Sequence, residues 1–148
     1  MFDTFEGIFP YLVSPVNEDG TVREKVLRDL VNHLIDCGVH GLTPLGSTGE
    51  FFYLDWEQKR EIVRIVVEET AGRVPVVAGV GCSTIREAKY QSKEFEKLGV
   101  DGILGVLNVY FPLKQKDIYN LSLIHILTPS SCYGRKKYSV CTFKKRNA

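Results

Sequence analysis

Apolar residues in the first 107 positions fall into short continuous runs that alternate with longer stretches of helical periodicity. The runs at 41–45, 74–80 and 100–107 are mostly unbroken, which is typical of strands covered on both faces. An earlier run at 7–16 contains two prolines and predicts a strand with an irregular end. The order β-α-β-α-β-α-β therefore predicts a parallel α/β sheet with helices between successive strands.

Capping residues predict where the three helices begin. Thr21 precedes the first helix, Asp55 and Gln58 form a capping-box pair before the second, and Thr84 and Glu87 form another before the third. The predicted apolar stripe of the first helix contains Val22, Val26, Leu30 and Leu34, widened by Leu27, Val31 and Ile35. A glycine follows each helix and is expected to end it: Gly38, Gly72 and Gly99.

The length of 148 residues limits the architecture. A complete eight-stranded β/α barrel takes about 250 residues. Four predicted strands fit a doubly wound sheet and half of a barrel equally well, so periodicity alone leaves both open.

The charge changes sign near residue 120. Residues 121–148 carry six basic and no acidic side chains, whereas residues 1–120 carry 13 basic and 18 acidic ones, a net charge of −5. Neither a helical nor a strand period continues into 128–148. We interpret 121–148 as a tail unrelated to the preceding domain, disordered or derived from joined foreign DNA. The alternative is a basic tail that contacts nucleic acid phosphates, but basic runs are more often solvated, and we expect no nucleic acid partner.

The remaining composition favours a cytoplasmic protein. The four cysteines show no CxxC or metal-ligand spacing, and we expect free thiols in a reducing compartment and no metal. The first residues lack the features of a signal peptide, and no run of 18 apolar residues is present. We therefore expect no membrane association.

The loop Gly46-Ser47-Thr48-Gly49-Glu50 holds the candidate chemistry. It joins the second strand to the second helix, and active sites of parallel α/β folds gather at the carboxyl ends of strands. Two glycines permit a tight turn, and successive N–H groups with two hydroxyls can hold a carboxylate or phosphate. The alternative is a turn whose Ser and Thr satisfy only local backbone groups.

This loop, together with the segments 7–15, 74–81 and 102–112, resembles the dihydrodipicolinate synthase and N-acetylneuraminate lyase family. The resemblance covers residues 1–120. It implies the first half of a (β/α)8 TIM barrel of a class I aldolase, which binds pyruvate through a Schiff base to a lysine and needs no cofactor. It also implies a homotetrameric or homodimeric parent enzyme.

The resemblance assigns roles to three residues. Ser47 and Thr48 would hold the keto-acid carboxylate, and Ser47 would also begin a proton relay that continues to Tyr110. The segment Asn108-Val109-Tyr110 departs from the Pro-Tyr-Tyr pattern of the synthases, and a rim aromatic without a relay function is the alternative for Tyr110. In the family the Schiff-base lysine lies on strand six. We therefore expect this chain to lack this lysine and to be inactive, with a non-catalytic fragment or interaction module as the alternative.

Overall fold

A computed structural model describes residues 5–82 and 84–107 of the chain. These ranges contain three α-helices, α1 (Glu24–Asp36), α2 (Trp56–Thr70) and α3 (Ile85–Leu98), and two strands, β1 (Val77–Cys82) and β2 (Gly102–Leu107). Within them no helix has the length and apolar character needed to cross a membrane. Tyr110 and the predicted tail 121–148 lie outside the described residues.

The strand segments are parallel and follow one another in sequence order. β1 pairs with β2 over its whole length, with Val77 opposite Gly102. Isolated parallel bridges extend the sheet on the other side, from Val76 to Leu42 and from Thr43 to Tyr11. This consecutive parallel arrangement confirms the predicted order of four segments.

The first two predicted strands form single bridges instead of extended ladders. Pro10 and Pro44 lie in these segments, and a proline has no N–H to donate to a ladder. The hydrogen bonds that remain are regular, for example from the N–H of Leu12 to the carbonyl of Thr43 at 3.0 Å. The sheet therefore keeps its register at the proline-containing edge with fewer bonds.

The core lies between the sheet and the three helices. Leu27 and Val31 of α1 and Phe95 of α3 are fully buried, and α2 contributes a wider set: Ile62, Val63, Ile65 and Val66. The predicted stripe of α1 is confirmed except at Val26, which is 41% exposed, whereas its neighbour Leu27 is buried. Tertiary packing decides which edge of this broad apolar face is buried.

The capping predictions had different outcomes. Asp55 and Gln58 form the predicted capping box, with the Gln58 N–H donating to the Asp55 carboxylate at 2.8 Å. Thr84 accepts from the N–H of Glu87 at 3.2 Å, which is the first half of the predicted second box. The Glu87 carboxylate is instead an acceptor for the Gln91 amide at 3.3 Å.

The prediction that Thr21 caps α1 was wrong. The helix begins at Glu24 after Arg23, without a side-chain cap. The Thr21 hydroxyl and N–H both donate to the Asp19 carboxylate, at 2.7 and 2.9 Å. A side chain that is engaged in the preceding turn cannot also cap the helix.

An ion-pair network joins α1 to α2 on the outer surface. Arg28 of α1 contacts Glu69 at 2.9 Å and Glu68 at 3.1 Å, and Arg64 also contacts Glu68 at 2.6 Å. The hydrogen bond from Arg28 holds the pKa of Glu69 below its usual value. The Arg28 contacts cross between the two helices and hold them together, whereas the Arg64–Glu68 pair lies within α2.

Candidate functional site

The loop 46–50 lies at the carboxyl ends of the parallel strands. It follows the segment whose Thr43 bridges to Tyr11, and its Ser47–Gly49 part forms a single 3-10 turn. The N–H of Gly49 donates to the carbonyl of Gly46 at 3.0 Å, and that of Glu50 to Ser47 at 3.1 Å. The structure therefore places the two predicted hydroxyl residues at the end of the sheet where parallel α/β folds bind ligands.

Ser47 and Thr48 are exposed and have free hydrogen-bonding capacity. Within the described ranges their N–H groups have no backbone acceptor, and their hydroxyls enter no hydrogen bond. Two adjacent N–H donors with two hydroxyls form a surface suited to a carboxylate. The alternative was that these hydroxyls satisfy local backbone groups, and the described residues contain no such hydrogen bond.

Residues with left-handed backbone conformations lie immediately before the loop and at its last position. Leu45 has φ +60° and Glu50 has φ +50°, although neither is a glycine. Such conformations cost on the order of 1–3 kcal/mol each, and they persist where the surroundings impose them. The loop conformation is therefore held by its neighbours.

Two glycines of β1 provide space for the residues on either side of this loop, Leu45 and Phe51. A β-carbon at Gly79 would overlap the Leu45 carbonyl oxygen, and one at Gly81 would overlap the Phe51 ring. These contacts were not predicted, because Gly79 was interpreted only as part of an apolar strand and Gly81 only as the end of the segment 74–81 that resembles the family. A glycine inside a strand can mark a close backbone approach, and that feature of the sequence could have identified them.

The first strand segment supports the loop from below. The Tyr11 ring lies against Gly46, where an added β-carbon would stand 2.8 Å from Cδ1. Gly49 rests over the Leu12 carbonyl and the Ser14 hydroxyl, and the latter is buried. Sequence reasoning missed Tyr11 and Ser14, although both are polar side chains between two prolines in an otherwise apolar run.

None of the lysines in the described residues lies at the loop. All of them are on the helices: Lys25 on α1, Lys59 on α2, and Lys89, Lys93 and Lys97 on α3. This part of the chain therefore supplies donors for an anion and no amine at the strand ends.

Comparison with known proteins identifies the family. A model of the dihydrodipicolinate synthetase family matches residues 4–123. The chain belongs to this family. It is 39% identical over 115 residues to the 4-hydroxy-tetrahydrodipicolinate synthase of Methanopyrus kandleri, an alignment that covers 77% of this chain and 38% of that enzyme. The chain thus spans well under half the length of this family member.

Solved structures of the family share the fold. The synthase of Methylacidiphilum fumariolicum superposes with a TM-score of 0.76 at 33% identity, over 80% of this chain and 39% of that one. The N-acetylneuraminate lyase of Mycoplasma synoviae superposes with a TM-score of 0.72 at 34% identity, over 82% and 42% respectively. The similarity confirms a parallel α/β fold that corresponds to part of a TIM barrel and disfavours the doubly wound alternative.

Proposed function

We propose that the loop 46–50 is the α-keto-acid carboxylate site of a pyruvate-dependent class I aldolase. The observation that carries this proposal is the pair of N–H groups at Ser47 and Thr48, which face no backbone acceptor in the described part and stand beside two hydroxyls. Hydrogen bonds to a charged carboxylate are stronger than those between neutral groups. Because the loop conformation is already imposed, little ordering is left for the ligand to bring about.

The proposed roles follow the resemblance to the family. Ser47 and Thr48 hold the carboxylate, and the Ser47 hydroxyl begins a proton relay that continues through Tyr110. A lysine amine attacks the keto carbon and expels water, and the resulting imine withdraws electrons from the carbon–carbon bond that forms or breaks. A homodimeric or homotetrameric assembly in the cytoplasm belongs to the same proposal.

The second candidate is a unit that binds a keto acid without chemistry. The position of the described lysines on α1 to α3 favours it for residues 5–107, since an amine nucleophile must reach the bound carbonyl. We propose that residues 1–120 form the family unit and that 121–148 are an unrelated tail, on the basis of the charge change between them.

Pyruvate titration followed by NMR tests the carboxylate site. We expect the amide resonances of Ser47 and Thr48 to shift with pyruvate and to remain unchanged with acetone, which has the carbonyl but no carboxylate. Ser47→Ala and Thr48→Val each remove one hydroxyl and should weaken binding by about 3- to 10-fold. Equal responses to pyruvate and acetone would refute the proposal.

Borohydride reduction separates the two candidates for this part of the chain. After reduction in the presence of pyruvate, we expect mass spectrometry to find no pyruvyl group on the five helix lysines. A stable adduct on any of them, together with turnover of an aldehyde, would show that residues 5–107 supply the nucleophile.

A further inference from the structure

The Ser14 hydroxyl is buried without a partner. Among the described residues, only Ser14 Oγ and Thr70 Oγ1 are buried side-chain oxygen or nitrogen atoms that make no hydrogen bond. A hydroxyl removed from water without a replacement bond is destabilising, so each such group calls for a physical reason.

The position of Ser14 connects it to the loop 46–50. A β-carbon at Gly49 would stand 3.0 Å from the Ser14 hydroxyl oxygen and 2.8 Å from the Leu12 carbonyl oxygen. The backbone of the loop therefore rests directly on this hydroxyl. Thr70, by contrast, lies at the far end of α2, roughly 20 Å from its first residue by the rise of an α-helix.

The loop above Ser14 also contains unpaired groups. The N–H groups of Ser47 and Thr48 face no backbone acceptor within the described ranges, and Glu50 holds a left-handed conformation. An anion bound at these N–H groups would attract them, and only a small shift of the loop backbone would be needed, because the Ser14 hydroxyl already lies against Gly49.

We propose that Ser14 is a positioning residue for the keto-acid loop, because its hydroxyl hydrogen-bonds to the backbone of residues 46–50 when a carboxylate occupies the loop. Ser14 acts through the loop and does not touch the keto acid. The inference rests on the proposed function. It supplies a hydrogen-bond partner for the hydroxyl that is buried beneath the loop.

The test compares affinity with stability in the full chain. Ser14→Ala should weaken pyruvate binding by about 3- to 10-fold, the effect of one hydrogen bond, without lowering the denaturation midpoint of the ligand-free protein. Thr70→Val removes the other unpaired hydroxyl while preserving its shape, and it should leave pyruvate affinity unchanged. If Ser14 had only a structural role, the loss of pyruvate affinity in Ser14→Ala would be accompanied by a lower denaturation midpoint.

A second pair of variants distinguishes the loss of the hydroxyl from an effect of misfolding. Ser14→Thr keeps the hydroxyl and Ser14→Val has nearly the same shape without it, so the threonine variant should bind pyruvate about 3- to 10-fold more tightly than the valine variant. Equal affinities within this pair, or a loss of affinity in Ser14→Ala that is matched by a lower midpoint, would overturn the positioning role. Absence of pyruvate binding in the unmodified chain would overturn the proposed function, and this inference with it.

Discussion

Substituting Gly79 by alanine should disrupt the loop from behind, because β1 passes directly beneath Leu45. The added β-carbon would overlap the Leu45 carbonyl oxygen and stand 2.7 Å from its carbonyl carbon. Carbon atoms in contact normally lie about 3.5–4.0 Å apart, so one of the two backbones must move by about 1 Å. Neither can move freely, since the N–H of Gly79 donates to the carbonyl of Pro44 at 2.9 Å.

The magnitude follows from the nature of the clash. Overpacking a core typically costs 1–3 kcal/mol, and a backbone obstacle cannot rotate away as a side chain can, so we expect about 3 kcal/mol for Gly79→Ala. Gly72→Ala is the matched control. Its β-carbon would meet nothing within 4 Å, but its φ of +71° is unfavourable for alanine, and we expect about 1 kcal/mol.

Two measurements distinguish the variants. Chemical denaturation should rank Gly79→Ala below Gly72→Ala in free energy of unfolding. Pyruvate titration should show weaker binding for Gly79→Ala alone, because only that change displaces Leu45 and the loop after it. If Gly79→Ala kept the stability and affinity of the unmodified chain, the close approach of β1 to the loop would be wrong.

Two further predictions concern the helices. Asp55→Ala removes the acceptor of the Gln58 N–H and should lower the free energy of unfolding by about 1 kcal/mol, measured by denaturation; an unchanged value would contradict the capping role. Arg28→Ala should lower the denaturation midpoint at neutral pH and low salt, and less so in high salt, because the ion pairs are partly exposed. Because Arg28 lowers the pKa of Glu69, the ionised carboxylate stabilises the fold at pH values above 4.5, its ordinary pKa, and this stabilisation is lost as the carboxylate protonates. The difference in denaturation midpoint between Arg28→Ala and the unmodified chain should therefore shrink as the pH falls below 4.5. A constant difference would exclude this linkage.

Elements whose determinants are local could be predicted from the chain itself. The capping box at Asp55 and Gln58 and the left-handed Gly99 after α3 depend on residues a few positions apart. The parallel order of the segments followed from the alternation of apolar runs with helices. The motif of the loop 46–50 was recognisable because its glycines and hydroxyls are consecutive.

Contacts between segments distant in the sequence decided the features that could not be predicted. Thr21 had the residue type of a cap, but Asp19 engages it in the turn, and Val26 had the period of a core residue but lies on the exposed side of α1. The roles of Gly79 and Ser14 depend on how β1 and the first segment approach the loop, over separations of more than 30 residues. Periodicity and capping patterns depend on hydrogen bonds and burial among residues close in the sequence. The sequence by itself therefore determined the secondary-structure elements and the loop motif. The packing that imposes the shape of the loop arises only when the parallel segments meet, and the tertiary structure alone decided it.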